Sequence, residues 1–281
     1  MTDRAYGMGR KAGAGRLAIA LAGALLIGWR WLADGIDPAG LLYEVPVVHR
    51  LPWLETPMAY LYLHFFTLGP VLLLSFDRKV HYYRKWRFLV PAILLVGLPF
   101  IAWDVFFTAR GVWGFNETYV SGLHLLRLPV EEWLFFVSVP FACVFIYECL
   151  ICYFPRDPLP AAEKWLTPVL IAGAFGLAAW RWQQLYTFTT FLACGLALLY
   201  HLLYGDARVR SRFYQAFGLS LLPFLLVNGV LTGGYTEAPV VLYNPGEYIG
   251  LRLTSIPVDD MGYGFLLLLG NVSLYAFFRK K

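Results

Sequence analysis

The chain has 281 residues, of which 59% are hydrophobic, 18% aromatic and only 15% charged. That balance excludes an ordinary soluble domain of this size and predicts an all-α integral membrane protein. The formal net charge of +5 reads as membrane topology and contact with anionic lipid, not as a nucleic-acid footprint.

A helix needs about 17–25 mostly apolar residues to cross the hydrocarbon core. Eight stretches meet that need, at 17–33, 57–77, 87–107, 129–153, 165–182, 186–204, 214–232 and 257–278. No soluble domain fits in the remainder. Residues 1–33 also allow a secretory signal peptide, because a basic start precedes LAIALAGALLIGW. That run ends in Arg30 and Trp31 without a small-residue cleavage pattern, which favours a retained span.

Lys and Arg give the orientation, since short cytoplasmic loops carry their excess. With the N-terminus inside, the inner segments hold Arg4, Arg10, Lys11, Arg16, Arg78, Lys79, Arg84, Lys85, Arg87, Arg156, Lys164, Arg208, Arg210, Arg212, Arg279, Lys280 and Lys281. The outer segments keep Arg50, Arg110, Arg127, Arg181 and Arg252, and Arg30 falls within the first span. A multi-pass protein of the cell (inner) membrane, with both termini cytoplasmic, is therefore expected. Cys143, Cys149, Cys152 and Cys194 all lie in apolar spans and read as small buried hydrophobes, not as zinc or redox ligands.

The fourth span opens on LPVEEWLFFVSVP, Leu128 to Pro140, and the eighth on IPVDD, Ile256 to Asp260. The two align at an offset of 128 residues without a gap. Asn116 matches Asn244, Gly122 matches Gly250, Pro129 matches Pro257, and Glu131-Glu132 matches Asp259-Asp260. Spans 2–4 and 6–8 therefore read as two copies of a three-helix unit. The expected division is an N-terminal extension with one extra helix over 1–50, a first copy over 51–160, a connecting helix over 161–185 and a second copy over 186–281. An even number of helices separates matching spans, so the copies run in the same direction, related by an axis along the membrane normal. Both acidic pairs then face one side.

Proline suits the first helical turn, and carboxylates there meet the positive end of the helix dipole. A capping role alone would account for one such pair; two at matched positions point to chemistry. Aromatic residues surround the first pair: Trp113, Phe115 and Tyr119 before it, Trp133, Phe135 and Phe136 after it. Tyr and Trp also populate membrane interfaces without any catalytic duty. Two adjacent carboxyls in an apolar site do not both ionise readily, so one keeps its proton. A neutral carboxyl in a water-poor site can protonate an alkene, and its partner can take a proton back. Aromatic faces stabilise the intervening carbocation by about 0.5–2 kcal/mol each. Water admitted to such a site would trap the cation as an alcohol.

The LPVEEWLFF and IPVDD pair, with FNETYVSG before the first, YNPGEYIG before the second and Ile146-Tyr147-Glu148 beyond, resembles the membrane lycopene cyclase family. Its members are encoded as two small subunits in some bacteria and as one fused chain in others. The similarity spans about residues 57–278. It implies a redox-neutral, acid-initiated closure of the linear end groups of lycopene into β-rings, giving γ-carotene and then β-carotene, with no flavin or nicotinamide; the spacing of His, Asp and Glu in the chain suggests no metal. The resemblance also implies the fused form, with lycopene or a related linear carotenoid and the lipid bilayer as partners and no obligate second subunit. Carried over by position, Glu131, Glu132, Asp259 and Asp260 are the motif acids, the first two the expected acid/base pair with the second two assisting. Tyr263 joins the aromatic residues as a cation stabiliser. Asn116, Gly122, Pro129, Asn244, Gly250 and Pro257 shape the two loops, and Asp104 is expected to orient the motif or to solvate a helix end. Met261 and Gly262 depart from the bulkier aromatics usual in the second motif, which sets that half-site apart.

Other polar residues read as structural. Glu148 lies 16 residues beyond Glu132, about 24 Å along a helix, which suits pairing with Lys or Arg at the opposite face. His64 and His201 read as hydrogen-bonded bundle histidines. Three readings compete with the cyclase: a carotenoid hydratase beginning with the same protonation, a membrane transporter, and a non-catalytic carotenoid-binding or assembly protein. Transporters place coupling residues near the midplane, whereas these acids gather at one end, with Asn228 and Asn271 as the deep amides.

Overall fold

The computed structural model describes residues 47–280 together with residues 16, 19–24 and 41. The expected first span, the basic residues Arg4, Arg10 and Lys11, and Lys281 lie wholly or mostly outside them. In chain order the described residues form α1 (Ala59–Leu74), α2 (Trp86–Arg110), β1 (Trp113–Phe115), β2 (His124–Leu125), β3 (Leu128–Pro129), α3 (Val130–Tyr153), α4 (Pro160–Trp180), α5 (Leu185–Tyr204), α6 (Ala207–Leu231), β4 (Val241–Tyr243), β5 (Arg252–Leu253), β6 (Ile256–Pro257) and α7 (Val258–Lys280).

Among the described residues, five helical segments are long and apolar enough to cross a membrane: Tyr82–Arg110, which joins α2 to the 3-10 turn before it, and α3, α5, α6 and α7. This multi-pass architecture is coarser than the eight spans expected. Helix α1 has 16 residues, or about 24 Å at 1.5 Å per residue, less than a hydrocarbon core of about 30 Å. Helix α4 carries Glu163 and Lys164 in its first turns, and Ala, Gly, Thr and Pro dilute the rest. Prolines 70, 91, 99, 140, 168 and 223 all sit inside helices, as membrane-buried helices tolerate. Large apolar side chains also face outward, among them Phe65, Leu73, Leu98, Val169 and Leu222. Apolar residues on both the inner and outer faces suit helices surrounded by lipid.

The order helix, helix, strand, hairpin, helix occurs twice. The copies interlock. Within each, the first and second helices pack on the third; across them, α2 packs on α7 and α6 on α3, with α3 and α7 in contact at the centre. Strands β1 and β4 pair antiparallel with Trp113 opposite Tyr243, Gly114 opposite Leu242 and Phe115 opposite Val241. Since Val241 is the counterpart of Trp113 and Tyr243 that of Phe115, the register is self-complementary, as two-fold symmetry requires. Each third helix starts directly after a hairpin, β2–β3 or β5–β6, and the Val130 and Val258 amides donate back to Leu123 and Leu251 at 2.9 and 3.0 Å. These matched starts bring both acidic pairs to the end of the bundle that carries the strands.

Candidate active site

The motif loops owe their shape to the residues that repeat. Asn116 Oδ1 accepts from the Thr118 amide at 3.1 Å, and Asn244 Oδ1 accepts from Gly246 at 3.0 Å. Each side chain thus closes a local turn. Gly122 and Gly250 have φ of 79° and 82°, backbone that residues with a Cβ adopt only with strain. Pro129 and Pro257 end strands β3 and β6 rather than occupying the first helical turn; Pro129 is the extended cap residue, with φ −61° and ψ 149°. Its ring supplies the φ while its missing N–H leaves no donor to satisfy.

The two acids of each motif point to different places. Glu131 is fully buried and Oε1 accepts from the Ser121 amide at 2.8 Å. Asp259 is its counterpart, accepting from the Ile249 amide at 3.3 Å and from the Thr187 hydroxyl at 2.5 Å. These two acids hold the motif loops against the helix starts. Glu132 and Asp260, one residue on, face an apolar cavity of about 710 Å³. Adjacent helical residues are roughly 100° apart, so one acid turns to the loop and the next to the interior.

Around Glu132, the Tyr60 hydroxyl donates to Oε2 at 2.7 Å, and the Asp104 carboxyl lies within hydrogen-bonding reach. Asp104 in turn accepts from the Tyr263 hydroxyl at 2.7 Å. Around Asp260, three donors converge: Tyr186 on Oδ1 at 2.8 Å, and Tyr243 and Asn228 on Oδ2 at 2.8 and 2.9 Å. Burial and the Asp260 carboxylate hold the Tyr243 phenol well above its usual range, so it stays a donor. His64 braces the first motif from below, with one ring nitrogen 2.9 Å from the Glu131 carbonyl and the other 2.9 Å from Ser138 Oγ.

Glu132, Asp260 and Asp104 are the acidic residues lining the cavity, and no Lys, Arg or His lines it among the described residues. Of the expected aromatic groups, Trp113, Phe115, Phe135 and Tyr263 line it. Trp113 and Tyr263 meet edge to face with ring centroids 5.9 Å apart. The other three lie elsewhere. Trp133 donates its indole N–H to the Leu125 carbonyl at 3.1 Å, and Phe136 is buried between helices. Tyr119 donates to Glu55 at 2.7 Å, and burial and that carboxylate push its phenol up to about 12. Met261 lines the cavity, while Gly262 is tight against α5, where an added Cβ would come within 3.0 Å of Thr190. The lack of a bulky side chain there lets α7 approach α5.

Tyr60, Tyr186 and Tyr243 escaped the reading of the sequence. Their signal is a repeat at a changed spacing: Tyr60 and Tyr186 are 126 residues apart, and Asp104 and Asn228 are 124 apart, against 128 for the motifs. At the opposite end Glu148 is buried and paired with Lys85 and Arg279, and accepts from Tyr275 at 2.8 Å. His201 meets Ser273 at 2.8 Å, and Asn271 donates to Leu267 of its own helix at 2.9 Å. Glu148, His201 and Asn271 are all absent from the cavity lining.

A membrane-spanning helical repeat with carboxyls and phenols lining an apolar chamber fits the class of enzymes that act on apolar substrates. The family model for lycopene cyclase matches residues 57–150 and 183–278, one segment in each copy, and the chain belongs to that family of isomerases. No curated protein and no solved structure matches the chain. Membership implies a carotenoid substrate.

Proposed function

We propose that the chain is a lycopene β-cyclase in the fused, single-chain form, converting lycopene to γ-carotene and then β-carotene without a second subunit. The observation that carries this is the convergence of Glu132 and Asp260, from separate copies, on one apolar cavity that no basic side chain lines among the described residues. A cationic side chain would repel a carbocation; carboxylates and aromatic faces attract one.

A proton from one carboxyl adds to the terminal alkene of an end group and leaves a tertiary cation. The π pair of the neighbouring internal alkene forms the ring bond and moves the cation onto a ring carbon. A carboxylate then takes the proton from the adjacent ring carbon, and its C–H electrons become the ring alkene. The proton count is unchanged, so product and substrate are isomers. Both copies open on the same cavity, so one end group reacts at a time and γ-carotene precedes β-carotene.

Pigment chromatography from lycopene-accumulating bacteria expressing this chain alone tests the reading. Native protein yields γ-carotene and β-carotene, and Glu132→Gln and Asp260→Asn leave lycopene. Lycopene untouched by well-folded native protein would overturn it, and a hydroxylated product would favour the hydratase. We infer cytoplasmic termini from the distribution of Lys and Arg; labelling of single cysteines placed near Lys280 from the cytoplasmic side checks this.

A further inference from the structure

We propose that the two copies divide the proton chemistry: Glu132, sharing a proton with Asp104, is the donor, and Asp260, held as a carboxylate, is the acceptor. Asp104 and Asn228 are the positioning residues that set the difference. The proposal rests on the cyclase reading and assigns the two roles within it.

Asp104 and Asn228 occupy equivalent places, each near the end of its copy's second helix and each reaching that copy's second acid. In the first copy the partner is therefore another carboxyl. Two carboxyls hydrogen-bond to one another only when one carries the proton that forms the bond. The phenols cannot supply it, because Tyr60 already donates to Glu132 and Tyr263 to Asp104. The pair is thus a proton store facing the cavity.

In the second copy the partner is an amide, which donates. Asp260 receives Asn228, Tyr186 and Tyr243 together, and three donors aimed at one carboxyl favour the anion. A cation stands behind them: the Arg252 guanidinium lies 5.5 Å from the Tyr243 ring centre and 5.0 Å from that of Tyr248. Its counterpart 128 residues earlier is His124, whose ring contacts Glu117 and the Gly122 carbonyl. Donors and cation therefore reinforce one copy, and a shared proton marks the other.

The cycle balances. Glu132 gives its proton to the terminal alkene, the pair becomes anionic and faces the cation, and Asp260 accepts the ring proton. Asp260 then returns it across the cavity to the Glu132–Asp104 pair, and both sites are reset.

Two measurements on the full chain test the assignment. Infrared spectroscopy without substrate reads the carbonyl stretch of a protonated carboxyl. One such band is lost in Glu132→Gln and in Asp104→Asn and kept in Asp260→Asn, while Asn228→Asp, which builds a second acid pair, adds one. Retention of all bands in Asp104→Asn, or loss of one in Asp260→Asn, would overturn the proposal. The second arm is turnover in D2O. Asp260→Asn still places deuterium in recovered carotenoid, whereas Glu132→Gln and Asp104→Asn lower that incorporation at least a hundredfold and Asp104→Glu restores part of it. The reverse pattern overturns the assignment. If native protein forms no ring, the cyclase reading fails, and the substrate-free infrared arm still decides the shared proton.

Discussion

Tyr60 donates its phenolic hydrogen to Glu132 at 2.7 Å, joining the first helix of the first copy to the third, and Tyr186 repeats that contact with Asp260 at 2.8 Å. Hydrogen bonds to a charged partner contribute about 1.5–3 kcal/mol. Tyr60→Phe and Tyr186→Phe each are expected to lower the rate of ring formation about ten- to hundredfold, while leaving the protein extractable as a folded monodisperse species. Initial rates with lycopene in detergent check this; rates within a factor of about two of native would remove the tyrosines from the site.

Neighbouring acids are expected to differ in kind. Glu131 anchors the Ser121 amide and is absent from the cavity lining, whereas Glu132 lines it. Glu131→Gln should keep turnover close to native and lower the melting temperature, and Glu131→Ala should cost about 1–3 kcal/mol by leaving the part-buried Ser121 amide without its acceptor. Glu132→Gln should abolish turnover with the melting temperature nearly unchanged. Equal loss of activity in both would contradict the separation of anchor from proton donor.

Gly122 and Gly250 test the loops by backbone alone. At each, an added Cβ would meet nothing within 4 Å, yet φ is 79° and 82°. Gly122→Ala and Gly250→Ala therefore should each destabilise by about 1–2 kcal/mol through the left-handed backbone and not through a clash. Thermal unfolding followed by tryptophan fluorescence reads the shift.

Asp206 gives a pH dependence away from the membrane-spanning helices. Its bond to Lys280 at 2.6 Å, together with the Arg208 amide at 2.9 Å, holds its carboxyl below the usual value. A carboxyl lowered on folding contributes stability that is fully present above its unfolded pKa of about 3.9 and is lost as pH falls through the lower folded value. Asp206→Asn is therefore expected to be less stable than native at pH 6, with the difference closing on acidification below about pH 4. A difference that widens on acidification would reverse the sign and refute it.

Much of the molecule was legible in residue order. Composition alone placed the chain in a membrane, because 59% hydrophobic residues exceed what a soluble core of this size can cover. The motif repeat was visible because the 128-residue offset holds without a gap from β1 through the start of α7. Upstream it breaks. Tyr60 to Asp104 is 44 residues but Tyr186 to Asn228 is 42, and Asp104 to Trp113 is 9 while Asn228 to Val241 is 13. A fixed offset therefore passes over the partners that complete each site. Helix α1 marks another limit: hydropathy extends over 57–77, but the helix stops at Leu74.

The sequence by itself determined the membrane class, the duplicated acidic motif and the turn residues, because these depend on local composition, spacing and backbone preference. Only the tertiary structure decided which acid of each pair faces the cavity, because the rotation of α3 and α7 about their axes is set by what they pack against. It also decided that Asp104 meets Glu132 while Asn228 meets Asp260. Those contacts join separate helices, and their meeting depends on the crossing of α2 onto α7 and α6 onto α3, which no run of residues along one chain segment encodes.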